Sequence, residues 1–237
     1  MVETTKSGIY NGYKIIGTQT LGLRGLVLWL KLNEGSGNIA YDSSFYHNDG
    51  TIYGATWVDG KFGKALYFDG VDDRVIVLDS PNLDFTHKSI TIAMWVKTTH
   101  TSGGWHYLLH KDAGDCNLGT RGVVLTYRYG SPKITSGDCS VLSGNNINDG
   151  EWHFVVGQVR DNGDGTATQK IFVDGVLNNE RTGSNLRIEN DSKNIQCPHV
   201  YFEGIIDEVM IFNRALSEDE IKLLYHHRVG AVSGKAI

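Results

Sequence analysis

The run Gly204-Ile205-Ile206-Asp207-Glu208-Val209-Met210-Ile211-Phe212 limits the possible folds more than any other stretch of this chain. It is too apolar to lie at a surface, and its β-branched residues favour a strand. Side chains on a strand alternate between faces. Ile205, Asp207, Val209 and Ile211 are therefore expected on one face, with Ile206, Glu208, Met210 and Phe212 on the other. Asp207 falls in an apolar row, and a buried carboxylate without a partner is prohibitively costly. Its partner must be an Arg, a set of backbone N–H groups or a hard cation. Past Asn213-Arg214-Ala215-Leu216, Ser217 and Glu220 have the spacing of a capping box, so a short helix begins there. Ile221, Leu224 and Tyr225 give that helix one docking face.

The rest of the chain repeats the strand theme. The 237 residues include 29 Gly but only 3 Pro, and short apolar runs are separated by Gly-containing turns. This is the pattern of an all-β sandwich or jelly roll. Leu26-Val27-Leu28-Trp29-Leu30 is apolar on both faces, as a covered strand should be. Ile90, Ile92, Met94 and Val96 alternate cleanly. Further strands are expected over residues 65–68, 74–78, 123–129, 152–160 and 169–173. Asp161-Asn162-Gly163-Asp164-Gly165 is a hairpin turn between the last two. It resembles the start of an EF-hand loop, but Phe172 stands where the closing Glu is needed. Residues 98–122 and 130–150 read as long irregular stretches. Residues 1–24 are expected to be an extension or an extra edge strand, residues 25–230 one domain, and residues 231–237 a tail.

Composition excludes several function classes. The net charge is -5 and no Lys/Arg-rich block occurs, so a nucleic-acid partner is not expected. No apolar run approaches the roughly 20 residues that span a bilayer, and residues 1–20 contain no secretory apolar core. The three cysteines, Cys116, Cys139 and Cys197, lack metal-ligand spacing. Cys116 and Cys139 either form a disulfide between neighbouring loops, leaving Cys197 free, or all three are thiols. His153, inside a strand, reads as structural.

Five segments, in order, carry a family resemblance. They are Leu28-Trp29-Leu30-Lys31-Leu32-Asn33-Glu34-Gly35, Asp42-Ser43-Ser44 with Asn48-Asp49-Gly50-Thr51, Gly60-Lys61-Phe62-Gly63-Lys64-Ala65-Leu66-Tyr67-Phe68, Trp152-His153-Phe154 with Phe172-Val173-Asp174-Gly175, and residues 204–220. Over residues 25–228 the chain resembles the laminin-G-like jelly-roll domains of the concanavalin-A-like lectin/glucanase superfamily. The resemblance implies a jelly-roll sandwich of two antiparallel sheets with a short C-terminal helix. It also implies a structural calcium site, with Asp42 and Asp207 as carboxylate ligands and Asn48 or loop carbonyls as neutral ones. The chain departs from the family pattern at Phe45-Tyr46-His47, a bulkier loop than usual.

Jelly-roll glucanases carry three carboxylates, Glu-x-Asp-x-Glu, on one strand. Here Glu203 and Asp207 flank Ile205, so the chain is read as non-enzymatic. The expected function is recognition or adhesion, with a glycan or a cell-surface protein as partner, at an extracellular or surface-associated location. A structural role in a cell surface or virus-like particle, or a diverged polysaccharide-cleaving activity, are the alternatives. Trp105, His106, Tyr127 and Tyr129 are candidate stacking platforms for sugar rings, and Arg128 is a candidate ligand for a carboxylate or sulfate.

Overall fold

The computed structural model describes residues 8–10, 13–16, 19–101, 103–111, 122–136, 140–188, 194–197 and 202–226, with only the backbone described before residue 23. Three short strands come first: β1 (Gly8–Tyr10), β2 (Tyr13–Ile16) and β3 (Gln19–Gly22). They pair only with one another, so the expected extension is a small sheet of its own. The chain continues through β4 (Leu26–Leu30), β5 (Ile39–Ala40), β6 (Gly50–Tyr53), β7 (Thr56–Asp59), β8 (Lys64–Asp69), β9 (Arg74–Val77) and β10 (Ile90–Lys97). After these come β11 (His106–Lys111), β12 (Val123–Arg128), β13 (Ser131–Ser136), β14 (Ser140–Ser143), β15 (Trp152–Asp161), β16 (Ala167–Val173) and β17 (Val176–Gly183). The last elements are β18 (Ile195–Cys197), β19 (Glu203–Phe212) and the helix α1 (Glu218–His226).

Two eight-stranded antiparallel sheets form the sandwich. One runs β17-β16-β15-β10-β19-β8-β7, with β4 also paired to β19. The other runs β14-β13-β12-β11-β18-β9-β6-β5. The main core lies between them, where Ile90, Ile92, Met94 and Val96 of β10 meet Leu125, Tyr127 and Ile134 from the facing sheet. The alternation expected along β10 therefore holds. At Gly157 the sheets come so close that a Cβ would stand 2.8 Å from Ile134 and 2.9 Å from Leu125.

A second core covers the outer face of the first sheet. There Trp29, Ala93, Trp95, Phe154, Phe172, Met210 and Phe212 pack against Ile221 and Leu224 of α1. A sheet covered on both faces needs strands apolar throughout, which explains runs such as Leu26–Leu30. The helix starts as its sequence requires. Ser217 N–H donates to Glu220 Oε2 at 2.8 Å, and Glu220 N–H donates to Ser217 Oγ at 3.2 Å.

The alternation expected along residues 205–212 breaks in the middle. Trp95 pairs with Asp207 but Ala93 pairs with Met210, so Met94 alone faces both Glu208 and Val209. Glu208 has φ 53, and this β-bulge shifts the parity of β19. Ile206, Val209 and Ile211 face the main core, while Met210 and Phe212 face the helix-covered side. Asp207, opposite Trp95, lies on the helix-covered side and does not share a face with Val209 and Ile211. Glu208 reaches that side too, accepting a hydrogen bond from Trp29 Nε1 at 2.6 Å. The strict two-residue alternation read from the sequence is thus corrected by one inserted residue.

His153 fastens one edge of the helix-covered sheet. Its Nδ1 lies 2.8 Å from Asp174 Oδ2 and its Nε2 lies 3.0 Å from Asp149 Oδ1. Asp174 and Gly175, with φ 53 and 76, form the two-residue turn between β16 and β17. Burial alone would push the imidazole pKa down. The hydrogen bonds to Asp174 and Asp149, reinforced by their charges, outweigh it and hold the pKa above its ordinary value. A raised folded-state pKa gives stability that is full below the unfolded value of about 6.5. That stability is lost as pH rises through the raised value. Urea unfolding across this range should show wild type losing its advantage over His153→Gln as pH increases; a constant difference would contradict the staple.

Candidate functional site

The residues expected at a metal fall into two places. Asp42 and Asn48 come together. Asp42 Oδ1 accepts from Trp29 N–H and Ser44 N–H, both at 2.8 Å. Its Oδ2 accepts from Ser44 Oγ at 2.6 Å and Asn48 N–H at 2.8 Å. A carboxylate offers about four lone-pair sites, and all are engaged by donors. The Asn48 side chain donates to Val27 O at 3.0 Å and accepts from Ser80 Oγ at 2.9 Å. Asp207 serves a different turn, accepting from Phe62 N–H at 2.9 Å. Gly60 allows that approach, since a Cβ there would stand 2.8 Å from Asp207 Oδ2.

The four donors around Asp42 leave its carboxylate no lone pair for a calcium ion. Among the described residues no group of three or more His, Cys, Asp or Glu side chains could hold a metal. Cys116 and Cys139 lie outside the described residues, so their pairing is not addressed. Cys197 is a buried free thiol whose pKa burial pushes up to about 12.

The ligand-binding candidates also divide. His106 and Tyr127 are only 3% and 0% exposed and face inward. Tyr127 donates its hydroxyl to His100 O, and burial pushes its pKa up to about 12. Neither presents a platform to solvent.

Trp105, Arg128 and Tyr129 do assemble at the surface. The Arg128 guanidinium lies 4.6 Å from the Trp105 ring centre and 4.9 Å from that of Tyr129, and its Nε donates to Gly103 O at 2.9 Å. The two rings flank the cation as a clamp, with Trp105 39% and Tyr129 63% exposed.

The β12–β13 hairpin builds this clamp. Arg128 pairs with Ser131 across the two-residue turn Tyr129-Gly130, whose φ angles of 52 and 81 fit a type I′ turn. Such positions favour Asn, Asp or Gly; an ordinary side chain there costs about 1–2 kcal/mol. In return the turn holds an aromatic ring beside Arg128. Gly103 lets the neighbouring loop close on it, since a Cβ there would stand 2.6 Å from the Tyr129 ring.

Lys133 was missed in the sequence because residues 130–150 read as loop, whereas β13 and β14 run through them. Pairing with Thr126 puts it on the same face as Arg128. The exposed aromatics Tyr41, Phe45 and Tyr46 were also not singled out as binding residues. Phe45 is 89% exposed and packs edge-on against Tyr46 at 5.9 Å.

The carboxylates on β19 do not form an open catalytic pair. Asp207 and Glu208 are buried, Glu203 is bound to His100 at 3.1 Å, and Ile205 separates Glu203 from Asp207. Among the described residues, no helix is long and apolar enough to cross a membrane.

A family model described as the concanavalin A-like lectin/glucanases superfamily matches residues 69–222, more than half of the chain. Among solved structures, the binding domain of Paraclostridial Mosquitocidal Protein 1 is similar, with TM-score 0.70 and 16% identity over 85% of this chain and 52% of that one. The binding domain of botulinum neurotoxin serotype D gives TM-score 0.67 and 16% identity over 85% and 51% of the two chains. A Trypanosoma rangeli sialidase in complex with sialic acid gives TM-score 0.68 and 16% identity over 88% and 34%. The chain thus spans about half the length of the toxin domains and a third of the sialidase. No curated protein matches the sequence.

The Asp42 geometry leads to a paired expectation. Asp42→Ala orphans several buried donors, which costs about 3 kcal/mol and lowers Tm by about 6–12 °C in thermal unfolding. A chelator should leave the wild-type Tm unchanged. A drop on chelation, restored by added calcium, would show that a cation does the work assigned here to N–H groups.

Proposed function

Because this chain belongs to the concanavalin A-like lectin/glucanases superfamily, we propose that it is a non-catalytic carbohydrate-recognition domain whose binding surface is the Trp105–Arg128–Tyr129 clamp. One observation carries this reading. Two exposed aromatic rings are held at fixed positions beside a cation by a tight hairpin and a loop carbonyl. A sugar offers an apolar C–H face and a rim of hydroxyls. Aromatic faces stack on the first and polar donors engage the second. Rigid rings supply contact area at low entropic cost.

The structural neighbours support the reading. Two are toxin binding domains and a third is a sialidase holding sialic acid. The burial of Asp207 and Glu208 on β19 supports the non-catalytic part of this reading.

A protein partner is the second reading, favoured by a different surface. Tyr41, Phe45 and Tyr46 expose aromatic area on a loop that the Asp42 hydrogen bonds hold in shape. If that partner is another copy of the chain, sedimentation should show a concentration-dependent dimer that Phe45→Ser abolishes.

Glycan-array binding tests the main reading. Wild type should bind a defined set of glycans. Trp105→Ala should weaken that binding by about tenfold or more, the equivalent of about 1.4 kcal/mol, while Phe45→Ser leaves it unchanged. An array with no hit, or binding indifferent to Trp105, would overturn the proposal.

A further inference from the structure

Resting on the carbohydrate reading above, we infer that the Trp105–Arg128–Tyr129 clamp selects a sugar carrying an acidic group, a carboxylate or a sulfate. The Arg128 guanidinium makes one hydrogen bond to protein, from Nε to Gly103 O at 2.9 Å. Among the described residues, neither Nη1 nor Nη2 has a hydrogen-bond partner and no carboxylate pairs with the guanidinium. An exposed arginine in that state would be mobile and solvated. Arg128 is half-buried and held between two rings, so its outward N–H groups are fixed in direction. A planar fork of donors matches two oxygens of a carboxylate or sulfate, and prior ordering lowers the entropic cost of binding them.

Lys133 supplies a second, independent observation. It lies diagonally across the hairpin on the same face as Arg128, and its Nζ donates to the neutral Ser143 Oγ at 2.6 Å. Among the described residues it too lacks a carboxylate partner. Burial pushes the Lys133 pKa down, and the charge of Arg128 pushes it further. The chain as a whole carries net charge -5, yet among the described residues two cations on this face of the hairpin repel each other with no acid between them. An anion bound at Arg128 relieves that repulsion as well as filling the fork. A neutral sugar would stack on the rings but leave both cations uncompensated.

Calorimetric titration of the whole chain with sialyllactose, sulfolactose and lactose tests this. At least one acidic sugar should bind about tenfold or more tightly than lactose, a difference of about 1.4 kcal/mol, and the advantage should shrink in high salt. Preference for sialyllactose assigns the carboxylate, and preference for sulfolactose assigns the sulfate. Arg128→Gln should reduce the acidic sugars to the lactose level, and Lys133→Gln should narrow the preference without removing it. Lys133→Gln keeps the test valid if the Arg128 variant fails to fold. Equal affinity for all three sugars, or a preference that survives Arg128→Gln, would overturn the inference while leaving carbohydrate recognition standing. No binding of these sugars or of any arrayed glycan would remove both.

Discussion

The β-bulge at Glu208 is the constraint on which the helix-covered half of the sandwich depends. β19 is bordered by β10 along one side and by β8 and β4, end to end, along the other. It therefore has to satisfy neighbours on both edges and packing on both faces. Without the inserted residue, strict alternation would place Asp207 on the same face as Val209 and Ile211, against the main core. With it, Asp207 turns to the outer side to hold the turn between β7 and β8, and Glu208 takes the indole N–H of Trp29 on β4. Two adjacent buried carboxylates are costly in principle. They are compatible with folding because each bonds to a group that itself fixes a strand or a turn.

The same economy of polar contacts shapes the loops. Asp42 accepts from the backbone of β4 and from three donors in the loop after β5. One carboxylate therefore both joins that loop to the sheet and fixes its shape. A hard cation and a set of N–H groups can do the same mechanical work, since each neutralises a buried carboxylate while bridging segments distant in sequence. The Asp-Ser-Ser sequence is compatible with either. The saturation of both Asp42 oxygens by donors distinguishes them here.

What could be read from the sequence follows from the range of each interaction. The alternation of β10, the capping box at Ser217 and the turns at Asp161 and Asp174 depend on neighbours a few residues away, and all were legible. The bulge at Glu208 was not, because no Gly marks it and its φ is set by the register against β10 and β4. Strands β11, β13 and β14 were hidden because Ser, Thr, His and Lys occupy many of their positions, weakening the apolar pattern. Of the five ligand candidates, residue type alone did not separate Tyr127 from Tyr129. Tyr127 points into the core and Tyr129 stands on the turn, a distinction that the two-residue hairpin makes and composition does not.

That hairpin also explains why the clamp lies where it does. The β12–β13 turn stands at the end of two strands whose inward residues, Leu125, Tyr127 and Ile134, are locked in the main core. Anchoring there transmits rigidity to Arg128 and Tyr129, which follow directly along β12. The Tyr127 hydroxyl bonds to the carbonyl of His100, and the Arg128 guanidinium bonds to that of Gly103, so both ends of the adjacent loop are fixed to the same strand. Trp105 enters the clamp from that loop just before β11 begins. A buried tyrosine and a half-buried arginine at consecutive positions thus hold one loop from two sides. The inward-facing residues that offer nothing to a ligand are the ones that keep the outward-facing set in place.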